Sequence, residues 1–335
     1  MTADRGERLR AGWASALVGG AVLTGKFSAW AVTGSAAVFA DAMESVVNVA
    51  AAAMLLGSLY VASRPADADH PYGHGKVEYF SAGIEGTLIA VAAVLIAIEA
   101  VRALVAGSLP RQLDLGLAIV VAMSALNAGL GLYLLRTGQR TASPALVADG
   151  RHVLADVWTS VGVIAGMAAV WATGWAVLDP LVALAIAAHL LREGWLIARN
   201  AVHGLMDAAD DELLELLAQS LESARAPAWV DVHGLRAWRS GADVHTDLHL
   251  VVPRYYDAAR LHGIHDDVEL ALGPHVRGGD VVVHFDPCRP HHCKGCMTPE
   301  CAVRKGEFDF RPPLDRERAT RDDATAEGGG AHQTS

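Results

Sequence analysis

The 335-residue chain is short of charge: Asp, Glu, Lys and Arg make up 19%, against 52% hydrophobic residues. A soluble domain carries about 25% charge, so a wholly water-exposed globule fits poorly. A disordered or collagen-like chain is excluded by the same apolar content. The chain also lacks a basic excess. Its formal net charge of −10 leaves nothing to neutralise phosphates, which excludes nucleic acid as the main partner. No G-x-x-x-x-G-K-[ST] loop occurs, so no ATP site is implied. No H-E-x-x-H pair marks a metallohydrolase, no catalytic residue is assigned, and the chain is read as a non-enzyme. Cysteine is scarce too, with four residues, all between 288 and 301.

What remains is long apolar runs. Six stretches reach the roughly 20 residues that a membrane helix needs: Ala11–Thr33, Ala36–Val61, Phe80–Val105, Leu113–Leu135, Ala145–Thr173 and Val177–Ala198. Gly116–Leu135 has only Ser124 and Asn127 as polar interruptions before Tyr133, too few for the polar stripe of a soluble helix. Arg5, Arg8 and Arg10 precede the first run, and Arg64 and Lys76 lie between the second and third. Arg136 and Arg140 lie between the fourth and fifth, and Arg199 follows the sixth. The Gly34–Ser35 and Gly174–Ala176 connections have no Lys or Arg, while Arg111, between the third and fourth runs, slightly weakens the pattern. This asymmetry predicts both termini in the cytoplasm. The basic N-terminus is read as leading into a retained helix, not a cleaved leader.

Ionisable residues within spans are expensive and are default site candidates. Asp41, Glu44 and Asn48 follow offsets i, i+3, i+7 in the second span, and Asp149, His152 and Asp156 do so in the fifth. Each set therefore lies on one helix face. Glu44, Asn48, His152 and Asp156 offer N/O ligands and, with His152 neutral, a charge of −2 that suits Zn²⁺, Fe²⁺, Co²⁺ or Mn²⁺. A helix–helix hydrogen-bond network without a ligand is the alternative. Lys26 reads as a structural partner of Asp41 or Glu44.

The segment Asp67-Ala-Asp-His70-Pro-Tyr-Gly-His74-Gly-Lys76-Val-Glu78 follows the second span, and His284-Phe-Asp286-Pro-Cys288 closes a C-terminal region. With the six spans and paired stripes, this resembles the cation diffusion facilitator family of divalent metal transporters. The resemblance implies a homodimer in a lipid membrane, the cell (inner) membrane of a bacterium. It would export divalent metal, zinc-class and with Fe, Co, Mn or Cd as options, in exchange for protons. It matches Glu44, Asn48, His152 and Asp156 to the transport site. Glu44 and Asn48 depart from the commoner Asp or His and Asp. It matches Asp67, His70 and His74 to a second site, where a carboxylate and two imidazoles make a plausible N/O set. Lys76 and Asp207 match a salt link near the dimer seam. His233, His249, His262, His284 and Asp286 match a binuclear site in the cytoplasmic domain. A membrane-anchored metal-binding or sensing protein without transport is the rival reading.

The expected architecture is an α-helical membrane protein: a cytoplasmic N-terminus (1–10), six transmembrane helices (11–206), then a small α+β metallochaperone-like domain (207–287). In that domain Asp210–Ala224 and Ala258–Leu272 read as amphipathic helices. Asp231–Arg239, Asp243–Val252 and Asp280–Phe285 alternate as strands. Residues 288–305 form a candidate metal-binding extension with Cys288, His291, His292, Cys293, Cys296 and Cys301. Cys293-x-x-Cys296 has the spacing of a zinc knuckle. Cys293, Cys296, Cys301 and one of the two histidines is the favoured set. Residues 306–335, rich in charge, read as a disordered tail.

Overall fold

The computed structural model describes residues 2–107, 110–140, 144–241, 243–276, 278–299 and 301–322. Six long helices come first: α1 (Thr2–Thr33), α2 (Ala36–Ala62), α3 (Val77–Ala106), α4 (Leu113–Arg140), α5 (Pro144–Thr173) and α6 (Leu178–Leu205). All six are long and apolar enough to cross a membrane. Their exteriors are greasy: on α3, Val91, Val94, Leu95, Ile98 and Val101 face outward while Ala92, Ala93, Ile96 and Ala100 are buried. Small residues therefore set helix contacts and large ones face outward, the arrangement expected where lipid is the solvent.

Helices α4 and α5 approach each other closely. A Cβ on Gly131 would lie 2.7 Å from Leu154 Cγ, and one on Gly150 would lie 2.7 Å from the Leu135 amide nitrogen. Only glycine admits that separation. Ala29, Ala37, Val38, Val120, Val163 and Met167 form an apolar core nearby.

The chain divides into two compact units, Met1–Ser58 with Ser81–Ala201, and Leu59–Phe80 with Val202–Ser335. The boundary expected at 206 is thus supplemented by the α2–α3 connection, which joins the second unit. Its reason is local packing. A Cβ on Gly75 would lie 2.0 Å from the Ser240 carbonyl oxygen, so the connection sits directly on a strand hairpin of that unit.

The second unit continues with α7 (Asp211–Ala224), β1 (Asp231–Ser240), β2 (Asp243–Val252), α8 (Ala258–Leu272), β3 (Val281–Pro287) and a short α9 (Arg316–Thr320). The strands run in the order β1-β2-β3, with β1 and β2 antiparallel and β2 and β3 parallel. Parallel pairing needs a crossover, which α8 supplies. Leu217, Leu221, Val232, Leu248, Leu250, Val268 and Leu272 build one core, so both helices cover one sheet face. The period of two then turns His249 and His284 to the other face.

The expected disorder from 306 does not hold for residues 306–322. Leu314 and Ala319 are buried in the domain core. Arg311 donates to the carbonyl oxygens of Ala226 and Trp229, and Arg318 and Arg321 pair with buried Asp231. Three of the arginines that suggested a solvated tail are taken up by these partners. The rest of that expected tail, 323–335, lies outside the described residues.

Candidate functional site

Inside the membrane unit the polar stripes of α2 and α5 meet. Lys26 on α1 is fully buried and sits 2.8 Å from Asp41 Oδ1. Ser160 on α5 donates to the same oxygen at 2.7 Å. Three helices are thus tied at one depth, as the reading of Lys26 expects. Asn48 donates to Asp156 Oδ2 at 2.5 Å. Buried Glu44 hydrogen-bonds Thr159, while its Oε2 has no partner. His152 stands one helical turn before Asp156 and is exposed. Glu44, His152 and Asp156 are not a trio with ligand atoms all within 4.8 Å. So Asn48 and Asp156 are joined directly, Glu44 is tied to Thr159 on the same helix as Asp156, and exposed His152 completes no trio with the two carboxylates.

Asp179 was not anticipated. It lies in the first turn of α6, is 2% exposed, and accepts from Ser35 Oγ and from the Ala36 amide at 2.8 Å. It caps the start of α2, where unsatisfied N–H groups and the helix dipole favour a carboxylate. An Asp-Pro pair opening an apolar run is the signal that points to it.

Among the described residues two trios of ligand atoms lie within 4.8 Å of one another, Asp67/His70/His74 and His233/His249/Asp286. In the first, Asp67 Oδ1 accepts from the amides of Asp69 and His70, and its Oδ2 lies 3.3 Å from His74 Nε2. The His70 amide holds the Asp67 carboxyl below its ordinary pKa. The two imidazoles have centroids 4.5 Å apart. His74 Nδ1 is buried with no hydrogen-bond partner. The segment is anchored by Tyr72, edge-on to His245 at 5.7 Å, and by Lys76 Nζ, 2.8 Å from Asp207.

The second trio depends on strand register. His233 pairs with His249, and His249 with His284, so three imidazoles stand in one row across the sheet. A register shift follows His233, where Gly234 takes φ +58°, a left-handed conformation that glycine tolerates. Asp286, two residues along β3, lies 2.9 Å from His249 Nδ1, 3.5 Å from His233 Nε2 and 3.6 Å from His284 Nε2. His262 does not join them. It is exposed on α8, and α8 packs on the opposite sheet face.

In the extension, a 3₁₀ turn spans Pro290–Gly295. Cys288, Cys293, Cys296 and Cys301 are free and line one cavity with His292. His291 lines a neighbouring cavity with His233.

Residues 12–206 match the cation efflux transmembrane domain, and residues 209–288 match the cytoplasmic domain of cation efflux proteins. An uncharacterized transporter of Synechocystis sp. is 36% identical over 299 residues, which cover 88% of this chain and 92% of that protein. The cation-efflux pump FieF of Klebsiella pneumoniae is 30% identical over 286 residues, 83% of this chain and 92% of the pump. FieF of Escherichia coli O127:H6 is 29% identical over 283 residues, with the same coverage. Six apolar helices with buried acidic stripes, followed by a three-stranded domain carrying a histidine row, therefore make this chain an integral membrane protein of the cation diffusion facilitator family of metal transporters.

Proposed function

We propose that the chain exports divalent transition-metal cations from the cytoplasm in exchange for protons. Zinc is the first candidate cargo, with Fe²⁺, Co²⁺, Mn²⁺ and Cd²⁺ as alternatives. It works as a homodimer in a bacterial cell membrane, with both termini cytoplasmic. The cargo binds Glu44, Asn48 and Asp156, and His152 joins them when α5 rotates, since it shares a face with Asp156. Alternating exposure of this one site moves the ion across. Binding needs deprotonated ligands, so protons arriving at His152 or a carboxylate release the metal. Metal at Asp67/His70/His74 and at His233/His249/His284/Asp286 acts on the cytoplasmic side. Filling the sheet site favours the dimer by mass action.

The observation that carries this reading is Glu44 Oε2, buried without a partner beside the Asn48–Asp156 pair. A desolvated carboxylate oxygen is unfavourable unless a cation meets it. The test is metal flux into proteoliposomes under an imposed pH gradient. Asp156→Ala should lower gradient-driven flux by roughly 30- to 150-fold, the equivalent of about 2–3 kcal/mol for a charged ligand. Asn48→Asp should reorder the ions by restoring a carboxylate. Absence of flux for every ion, with metal still bound by the C-terminal domain, would overturn transport and leave a membrane-anchored sensor.

A further inference from the structure

The region matched to the cytoplasmic domain ends at residue 288, and every cysteine of the chain lies at or beyond that point. Cys288 follows β3, and its amide donates to the Val252 carbonyl at the end of β2. The other three sit on the 3₁₀ turn and the irregular backbone after it. All four line a cavity of about 330 Å³.

Three observations separate this cluster from buried thiols that merely pack. First, Arg254, Arg289, Arg304 and Lys305 line the same cavity. Neutral thiols need no cations. Four thiolates around a divalent ion carry −2 and do. Second, backbone N–H groups aim at sulfur. The Lys305 amide lies 3.5 Å from Cys293 Sγ, and the Arg254 amide hydrogen-bonds Cys288. The Arg304 guanidinium meanwhile holds the carbonyl oxygens of Cys296 and Thr298, which fixes the turn. Third, the histidines are engaged elsewhere. His292 Nδ1 accepts from the Arg289 amide at 2.9 Å, and its Nε2 faces His291 Nε2 at 3.1 Å. A neutral ring that accepts at Nδ1 carries its proton on Nε2 and has no lone pair left for a metal.

The geometry points to a tetrathiolate site for a resident divalent ion, Zn²⁺ first, held by Cys288, Cys293, Cys296 and Cys301. Thiolates select a soft ion, and four of them close a tetrahedron with Zn–S bonds of about 2.3 Å. The sulfurs are not a trio within 4.8 Å, so binding draws them inward. Cys301 stands outside helix and strand, and its shift breaks no ladder. A closed four-ligand site leaves no position for exchange, so this ion is structural and not cargo. It would clasp the end of β3 to the extension, whose continuation supplies Arg311, Leu314 and the arginines that hold Asp231.

The test is cobalt substitution of the reduced full-length protein in detergent. The transport, loop and sheet sites contain no sulfur, so a thiolate-to-cobalt charge-transfer band reports this cluster alone. The band is expected together with intense tetrahedral visible absorption, and zinc should displace both. Cys293→Ser and Cys296→Ser should abolish the band, Cys288→Ser should weaken it, and His291→Ala and His292→Ala should leave it unchanged. A measurement on the unaltered protein guards against misfolded variants: zinc should slow the reaction of all four thiols with a disulfide reagent, and a chelator should restore it. Four fast thiols with zinc present, or no charge-transfer band, would overturn the site. A band indifferent to Cys288→Ser and lost in His292→Ala would overturn the ligand set.

Discussion

In the membrane unit the buried carboxylates Asp41 and Glu44 each keep one oxygen without a hydrogen-bond partner. In the C-terminal unit buried Asp231 has both oxygens taken, by the Val232 amide, Arg318 and Arg321. Both regions bury acid, but Asp41 and Glu44 keep one oxygen open, whereas Asp231, like Asp179 at the start of α2, has both oxygens bonded. Asp41 is already paired with Lys26, which leaves Glu44 Oε2 as the oxygen that the proposed ion would meet. A fully bonded carboxylate rigidifies the fold, whereas an incompletely bonded one is a standing demand for a cation.

The comparison is sharpened most by removing one partner in each unit. Lys26→Met leaves Asp41 buried and uncompensated, and should destabilise the protein by about 3–5 kcal/mol. Arg318→Ala leaves Asp231 with Arg321, and should cost about 1.5–3 kcal/mol. Thermal unfolding in detergent checks both. Equal losses would erase the distinction.

A smaller effect is expected at Asp210, whose side chain accepts from the Leu213 amide and caps α7. That bond holds its carboxyl below the ordinary pKa. Asp210→Ala should cost about 1 kcal/mol at neutral pH. Because the folded pKa is depressed, the stabilisation is present above the ordinary carboxylate value, about 4, and is lost as pH falls through the folded one. Variant and parent should therefore converge in acid. The smallest effect belongs to the half-exposed Lys76–Asp207 pair, where Lys76→Ala should cost under about 1 kcal/mol and less in high salt.

Much of the fold was legible in the sequence. Apolar runs located the six long helices but missed their polar ends, the start of α1 and the ends of α4 and α6, and alternation located the three strands, because both signals are periodic and local. The stripes of Glu44, Asn48 and Asp156 were legible for the same reason. The histidine row was not derivable from spacing, since His233, His249 and His284 align only through a register shift at Gly234 and a parallel pairing made far along the chain. His262 lies away from the row within this chain because α8 covers the opposite sheet face, which helix periodicity does not reveal. Residues 306–322 were misread because charge density cannot distinguish solvated arginines from arginines matched to a buried Asp231. Thr159 and Ser160 passed unnoticed because a hydroxyl in a span has no signature until its acceptor is known.

The fit of Gly75 against the Ser240 carbonyl has a mechanical meaning. Contact that tight leaves no room for a side chain between the α2–α3 connection and the β1–β2 hairpin. Tyr72 is pressed edge-on to His245, and Trp238 is stacked behind it. Any side chain at position 75 would have to push the connection and the hairpin apart, and the Tyr72–His245–Trp238 ring stack would open with them.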